Sequence, residues 1–397
     1  MRIAVIGGGA AGFMAAITAQ SSDSNSEVTL FEKSNKALSK VKISGGGRCN
    51  VTNACFSISE LAKNYPRGGG FLKKAFNHFC TKDTVEWFKQ RGVELKTEDD
   101  DRMFPISNNS QTIIDCLKNE CDKLKVSIKY QNPVKNIKPL ENGFMINNDF
   151  FVDKIIIASG GSPKIEGLQW LLDIGLEVEK PVPSLFTFNM PNEDIKDLMG
   201  IVAPNVSVHI QGDKLKHTGP LLITHWGMSG PAILKCSAWG ARILANKNYK
   251  FKVHVNWSNL NESDYIESIK ENKKSQRILA NKNPFNLPNR LWLYLLKKID
   301  IDSNIPWNDL DKKSGNKLLN VLFNDSYQVN GKTTFKEEFV TCGGISLNQI
   351  NSNTMESKIH KGLYFCGEIL DIDGVTGGFN FQSAWTTGYL AGKNSVL

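Results

Sequence analysis

A chain of 397 residues with 41% hydrophobic and 22% charged content is long enough to bury a large core in two or three domains, and no apolar run approaches the ~20 residues of a membrane-spanning helix. The formal net charge of +8 is spread through lysine-rich segments with no basic arm, so it reads as a solvated face and nucleic acid is not an expected partner. The eight cysteines include no C-x-x-C pair, the six histidines are scattered, and the N-terminus lacks a secretory cleavage pattern, so no metal site is expected and the setting reads as cytoplasmic.

The first element is an apolar strand, Arg2 to Ile6, running into Gly7-x-Gly9-x-x-Gly12 and a helical stretch from Phe13 to Gln20. Gly7 suits the tight turn, Gly9 the approach of backbone to a pyrophosphate, and Gly12 close packing of helix on strand. The phosphates would face the helix N-terminus, whose unpaired N–H groups favour an anion. Glu27 to Glu32 reads as a second strand ending in an acid, and Glu32 lies 20 positions after Gly12, the spacing of a carboxylate that bonds an adenosine ribose.

Ala37 to Ile43 leads into Ser44-Gly-Gly-Gly-Arg-Cys-Asn-Val-Thr-Asn53. Three successive glycines disfavour regular structure and suit backbone lying against a flat or charged ligand, with Arg48, Asn50, Thr52 and Asn53 as nearby donors and acceptors. Cys49 has no vicinal cysteine and reads as a packed or cofactor-adjacent thiol rather than a catalytic one. Phe56 to Leu124 reads as mostly helical, with Thr81 as a cap, a short strand at Val93 to Thr97, a solvated acidic turn at Glu98 to Asp101, and Arg102 as a candidate substrate contact. Strands are expected at Val126–Tyr130, Val134–Leu140, Phe144–Asn147 and Phe151–Asp153. The buried run Lys154 to Ala158 then ends in Ser159-Gly160-Gly161, a second backbone surface beside a cofactor.

Pro181 to Ser184 reads as a linker, and Phe186 to Val255 as a set of strands containing His225-Trp-Gly-Met-Ser-Gly-Pro231. His225 is either a proton relay or a structural histidine. Asn261 to Asn330 reads as a lysine-rich helical cap. The chain closes with a strand from Phe339 to Ile345, a strand from Gly362 to Gly367 carrying Glu368 at its tip, and a helix opened by Gly377-Gly378. Glu368 suits the hydroxyls of a ribityl chain, and the N–H groups from Gly378 to Asn380 suit negative charge on a reduced isoalloxazine. A plain NAD site needs no such distant second lobe, so the cofactor is expected to be FAD. The acids near residue 370 have no cation-loop spacing.

The fingerprint, the Ser44–Asn53 block, the His225–Pro231 block and the Gly367–Gln382 segment together resemble, in order and over nearly the whole chain, the bacterial HI0933-like FAD flavoproteins that include aminoacetone oxidase and BaiN-type bile-acid reductases. The resemblance implies an α/β fold with a discontinuous Rossmann-like FAD-binding domain (1–183 and 335–397), an inserted β-rich domain (184–258) and a small helical module (259–334). It implies FAD contacts at Ala11, Glu32, Lys33, Cys49, Asn50, Gly367, Glu368, Phe379 and Asn380, with Val134 beside adenine. With the residues read directly, the expected cofactor set also holds Gly7, Gly9, Gly12, Gly47, Arg48, Ser159, Gly160 and Gly378; no catalytic side chain is assigned. After Gly161 the family's tyrosine-proline stretch is replaced by Ser162-Pro-Lys-Ile-Glu-Gly167. The expected activity is reduction of an unsaturated or carbonyl small molecule with NADH or NADPH as co-substrate. The alternatives are an oxygen-using oxidase of a small amine and, more distantly, an RNA-modifying flavoprotein.

Overall fold

The computed structural model describes residues 1–333 and 340–397, which form two compact units: Met1–Ser184 with Phe335–Leu397, and Leu185–Thr334. The first unit is built on a five-stranded parallel sheet in the order Leu363–Phe365, Lys154–Ile157, Arg2–Ile6, Glu27–Phe31, Ser127–Lys129. Its central strands are near-continuous branched apolar runs because both faces are covered, as a parallel sheet requires. The helix Ala10–Ser22 is buried at every position from Ala11 to Gln20. One reason is the closing helix Phe379–Ser395, whose Gly388 and Gly392 lie against it. A Cβ there would stand 2.5 Å from the Ala11 carbonyl oxygen and 2.3 Å from that of Ala15. The last segment of the chain thereby completes the layer over the first.

Several sequence expectations shift in detail. Residues 56–124 hold four helices, Ile58–Ala62, Gly69–Ala75, Thr81–Lys89 and Ser110–Lys123, plus the strands Leu95–Thr97 and Arg102–Pro105. Cys80, not Thr81, is the cap of the third helix, its backbone N–H bonded to the Asp83 carboxylate at 2.7 Å. Glu98 is more than a solvated turn, since it pairs with both Arg48 and Arg102. The strand expected from Val134 begins at Ile137, because Asn147 ties the preceding backbone by accepting from Lys135 N–H and donating to the Pro133 carbonyl. Pro181 to Ser184 is no linker: Val178–Ser184 is a strand antiparallel to Val340–Ile345, with an irregularity between Glu179 and Val182 that accommodates Pro181. Phe339 and the expected boundary between 334 and 335 lie outside the described residues.

The Leu185–Thr334 unit carries a seven-stranded antiparallel sheet in the order Asp325–Asn330, Lys250–Asn256, Val202–Ile210, Lys216–Thr224, Gly227–Ser229, Thr187–Asn189, Lys332–Thr333. The helices Glu262–Asn272, Asn289–Lys298 and Lys312–Asn324 share one hydrophobic core with this sheet, so residues 184–258 and 259–334 are not separate modules there. Trp257, Trp292 and Trp307 are fully buried in that core. Each indole N–H finds an acceptor, on Asp325, the Leu279 carbonyl and the Lys282 carbonyl, as burial of a tryptophan demands. Charge is not evenly spread: this unit has twenty lysines and arginines against thirteen aspartates and glutamates, a net +7 of the chain's +8.

Candidate functional site

The glycine fingerprint divides by physical cause. Gly7 has φ +116°, and a Cβ there would lie 2.3 Å from the Ala158 carbonyl oxygen. A Cβ on Gly12 would lie 1.9 Å from the Gly7 carbonyl oxygen, so both positions are closed to side chains by the protein itself. Gly9 differs. It is exposed, its φ of −92° and ψ of −173° suit any residue, and a Cβ would meet no protein atom within 4 Å. Gly9 also caps the helix Ala10–Ser22 with no side-chain acceptor on its N-terminus. The first-turn N–H groups there have no intrahelical partner and face the positive end of the helix dipole. Open backbone, open space and anion-favouring donors fit a diphosphate.

Glu32 stands at the tip of the second strand. One carboxylate oxygen accepts the Gly8 N–H (2.9 Å), and the other accepts the Ser34 N–H (2.8 Å) and hydroxyl (2.7 Å). A carboxylate offers about four acceptor positions, so one remains for a ligand hydroxyl. Lys33 beside it is exposed, and Val134 is half-buried in a segment without regular secondary structure.

The Ser44–Asn53 block turns sharply where its glycines fall: Ser44 leaves helical geometry (ψ 148°), and Gly45 and Gly46 are left-handed. A Cβ at Gly46 or Gly47 would meet no protein atom within 4 Å. Cys49 is wholly buried, and burial pushes its thiol up to about 12, against a smaller opposing influence from a Ser44 hydrogen bond. It stays a thiol near neutral pH and supplies no thiolate nucleophile. Arg48 lies 4.0 Å over the Phe104 ring and pairs with Glu98 at 2.5 Å, so its guanidinium braces the protein. Arg102 is likewise held, by Glu98 and Asp100.

Asn50 meets the start of the closing helix. With its amide oxygen toward Gly378 N–H (2.9 Å), its nitrogen donates to the Thr52 carbonyl (3.0 Å). The Gly378 N–H, expected to face ligand charge, is therefore taken by the protein. The Asn380 side chain is also engaged, accepting from Gly374 N–H and donating to the Gly374 carbonyl. The Phe379 carbonyl accepts from buried Tyr65. What the helix start still offers is the pair of backbone N–H groups at Phe379 and Asn380, which have no intrahelical acceptor.

Glu368 is bound at both oxygens, to the Lys40 ammonium (2.6 Å) and the Thr341 N–H (2.9 Å). The turn after the buried strand reaches the same place: a Cβ on Gly161 would fall 3.0 Å from the Glu368 carboxyl carbon, while Gly160 and exposed Ser159 border open space. A Cβ on Gly367 would stand 2.7 Å from the Ala11 methyl, which ties this tip to the fingerprint helix. Fingerprint, Ser159–Gly161 turn and Gly367–Glu368 tip thus adjoin, and Asn50 joins the Ser44–Asn53 block to the closing helix. His225 lies in the other unit, exposed in a hairpin turn with its ring 4.4 Å from that of Trp226.

Sequence reasoning missed Lys40 and Thr341, whose partner Glu368 is 328 positions away from one and 27 from the other. It also missed Arg67. This guanidinium grips the buried Asp373 carboxylate through Nε and Nη2, while the Ser184 hydroxyl donates to the same carboxylate at 2.7 Å. Burial raises the Asp373 carboxyl above its ordinary range, and the Arg67 charge opposes that rise. The run Arg67-Gly-Gly-Gly70 was the available signal. Among the described residues no group of three or more His, Cys, Asp or Glu could hold a metal ion.

The family description "HI0933-like protein Rossmann domain" matches residues 1–394. A 3-dehydro-bile acid delta(4,6)-reductase of Clostridium scindens is 28% identical, covering 99% of this chain and 98% of that protein. A ribosomal RNA dihydrouridine synthase of Escherichia coli is 29% identical, covering 99% and 97%. Among solved structures, a variant of E. coli quinol fumarate reductase FrdA aligns with a TM-score of 0.50 at 14% identity, covering 100% of this chain and 70% of that one, a likeness of fold. No helix of the described residues is long and apolar enough to cross a membrane. The parallel sheet, the glycines that leave room for a dinucleotide and the match along almost the whole chain lead to one conclusion: the chain belongs to the HI0933-like Rossmann family and is an FAD-dependent oxidoreductase.

Proposed function

We propose that the chain is a reductase that draws on NADH or NADPH and saturates a carbon–carbon double bond conjugated to a carbonyl in a small molecule. The observation that carries this reading is the common chemistry in the names of its relatives. One is a reductase of a 3-dehydro bile acid, and another makes dihydrouridine, which is uridine with its ring double bond saturated. Held by the residues of this site, FAD would supply two-electron hydride chemistry between a nicotinamide and the substrate carbon, with the second hydrogen of the saturated bond drawn as a proton from solvent.

The residues have separate parts in this reading. Gly9 and the first turn after it would receive the diphosphate, and the remaining acceptor position of Glu32 would take a ribose hydroxyl. Lys33 and Val134 would border the adenosine end. Gly47, Gly160 and Ser159 would present backbone and hydroxyl to the cofactor, with Ala11 and Gly367 as the packed floor. The Glu368–Lys40 pair would meet the ribityl hydroxyls. The N–H groups of Phe379 and Asn380 would favour negative charge on the ring system. Cys49, Asn50 and Arg48 would shape that wall without entering the chemistry.

Anaerobic mixing with NADPH or NADH tests the reading, with bleaching of the flavin within seconds as the expected result. Bleaching by small amines alone, with peroxide formed on admitting air, would replace it with the oxidase. A second reading places the same chemistry on a uridine within RNA. The net +7 of the Leu185–Thr334 unit favours it, since such a surface attracts a polyanion. Reduction of uridine-containing RNA, measured against a conjugated enone, separates the two.

A further inference from the structure

The helix Lys312–Asn324 presents an unusual outer face. Its exposed positions are Lys312, Lys313, Asn316, Lys317, Asn320 and Phe323, with Asn324 at the end. At 100° per residue these fall within one arc of about 140°, opposite the arc that buries Gly315, Leu318, Val321 and Leu322. The helix has no acidic residue. Its cap, Asp311, is engaged by the Ser314 N–H and hydroxyl. Lys273, which follows the packed helix Glu262–Asn272, lies on the Gly315 side instead, 4.0 Å from where a side chain there would begin. Lys312, Lys313, Asn316, Lys317 and Asn320 line an open groove. Lys317 also reaches the Ile299 carbonyl at 3.2 Å, which fixes its ammonium at the groove wall.

We infer that this face binds single-stranded RNA. The lysines suit successive phosphates, the two asparagine amides offer both donors and acceptors to sugar and base edges, and a 36%-exposed phenylalanine amid them is a stacking platform for a base. Phe323 is itself braced by an edge contact with buried Tyr265, ring centres 6.3 Å apart, so it is presented in a fixed pose. An anionic membrane fits less well. A helix that lies on a bilayer must insert an apolar face, and here that face is committed to the core, leaving one aromatic outside. The surface stands on charge and geometry, whereas the choice of RNA over DNA rests on the RNA-directed reading above.

The test uses the FAD-loaded full chain and fluorescence anisotropy with a labelled single-stranded RNA of about 16 nucleotides. The wild type should bind with an affinity that falls steeply between about 50 and 200 mM salt. The triple variant Lys312→Ala, Lys313→Ala, Lys317→Ala should bind at least about tenfold more weakly, with the log–log salt slope reduced by about 2, the release expected for three phosphate contacts on a single strand. Phe323→Ala should lose about fivefold or more without changing the salt slope. Lys138→Ala, an exposed position in the other unit, should bind as wild type, and circular dichroism should show all variants folded. Wild-type binding by the triple variant would overturn the surface. Equal affinity for the same sequence in DNA would overturn the assignment to RNA. Binding to vesicles of anionic phospholipid, lost in the triple variant and unaccompanied by RNA binding, would give the face to a membrane. A protein that binds RNA through this face yet fails to bleach with NAD(P)H would sink the reductase reading and leave this inference standing.

Discussion

Replacing Gly9 and Gly12 separately by alanine distinguishes a glycine required by the ligand from one required by the fold. At Gly9 the backbone conformation suits alanine and the new methyl meets no protein atom within 4 Å. Apoprotein stability should therefore be unchanged or raised by about 0.4–1 kcal/mol, because alanine restricts the unfolded chain. FAD binding should suffer, since the methyl occupies the approach of the diphosphate to the helix N-terminus. Loss of a hydrogen bond to a charged group is worth about 1.5–3 kcal/mol, which corresponds to a roughly 10- to 150-fold weaker Kd. At Gly12 the methyl would overlap the Gly7 carbonyl oxygen at 1.9 Å, and that partner is backbone held in the turn. Overpacking of this kind destabilises by about 1–3 kcal/mol or more, so Gly12→Ala should lower the urea midpoint of the apoprotein itself. Urea titration of deflavinated protein and calorimetric titration with FAD measure the two effects independently. If Gly9→Ala binds FAD as wild type, or destabilises the apoprotein as much as Gly12→Ala, the division of the fingerprint by cause is wrong.

Other perturbations follow from the same geometry. Cys49→Ala should keep turnover within a few-fold of wild type, and the native Cys49 thiol should resist a thiol reagent at pH 8, because burial holds it protonated up to about 12; rapid labelling of Cys49 in folded protein would contradict this. Arg67→Ala should destabilise by about 3–5 kcal/mol in urea, since it strands the buried Asp373 carboxylate without its cation. Lys40→Ala removes a pair whose lysine is more than half exposed, so stability should change by less than about 1 kcal/mol while FAD affinity reports whether Glu368 needs that partner. Gly388→Ala should lower stability by about 1–3 kcal/mol through its clash with the Ala11 carbonyl, and an unchanged melting curve would refute the close packing of the two helices.

What was legible in the sequence was the part written in local pattern. The strand–glycine–helix unit at the N-terminus, the acid at Glu32 and the small-residue turns after Ile157 and Phe365 declare themselves because period and spacing are short-range signals. Pairing over long distance left no such trace. Pro181 to Ser184 looked like a linker because the partner of its strand, Val340–Ile345, lies more than 150 positions away. Asp325–Asn330 looked like the tail of a helical cap because only Lys250–Asn256 reveals it as a strand. The helical character from Asn261 onward was legible, but the membership of its helices in the sheet's core is a matter of what they touch.

The site shows the same division at finer scale and changes what the polar residues mean. Arg48, Asn50 and Glu368 read as groups facing a ligand because they are polar and sit near glycines, and Asn380 through its backbone N–H and the family resemblance. In the structure each is engaged by protein: Arg48 by Glu98 and Phe104, Asn50 by Gly378 and Thr52, Asn380 by Gly374, and Glu368 by Lys40 and Thr341. The places left open to a ligand are mostly backbone, at Gly9, Gly46, Gly47 and Gly160, where a Cβ would meet no protein atom within 4 Å, and at the first-turn N–H groups after Gly378. Backbone donors cannot be removed by side-chain substitution, whereas the four polar side chains can. Alanine at Arg48, Asn50 or Asn380 should therefore act first on the rigidity of the wall and only through it on the cofactor. The signature is a lower melting temperature of the apoprotein accompanying any loss of FAD affinity; loss of affinity with an unchanged apoprotein melt would return those side chains to direct contact.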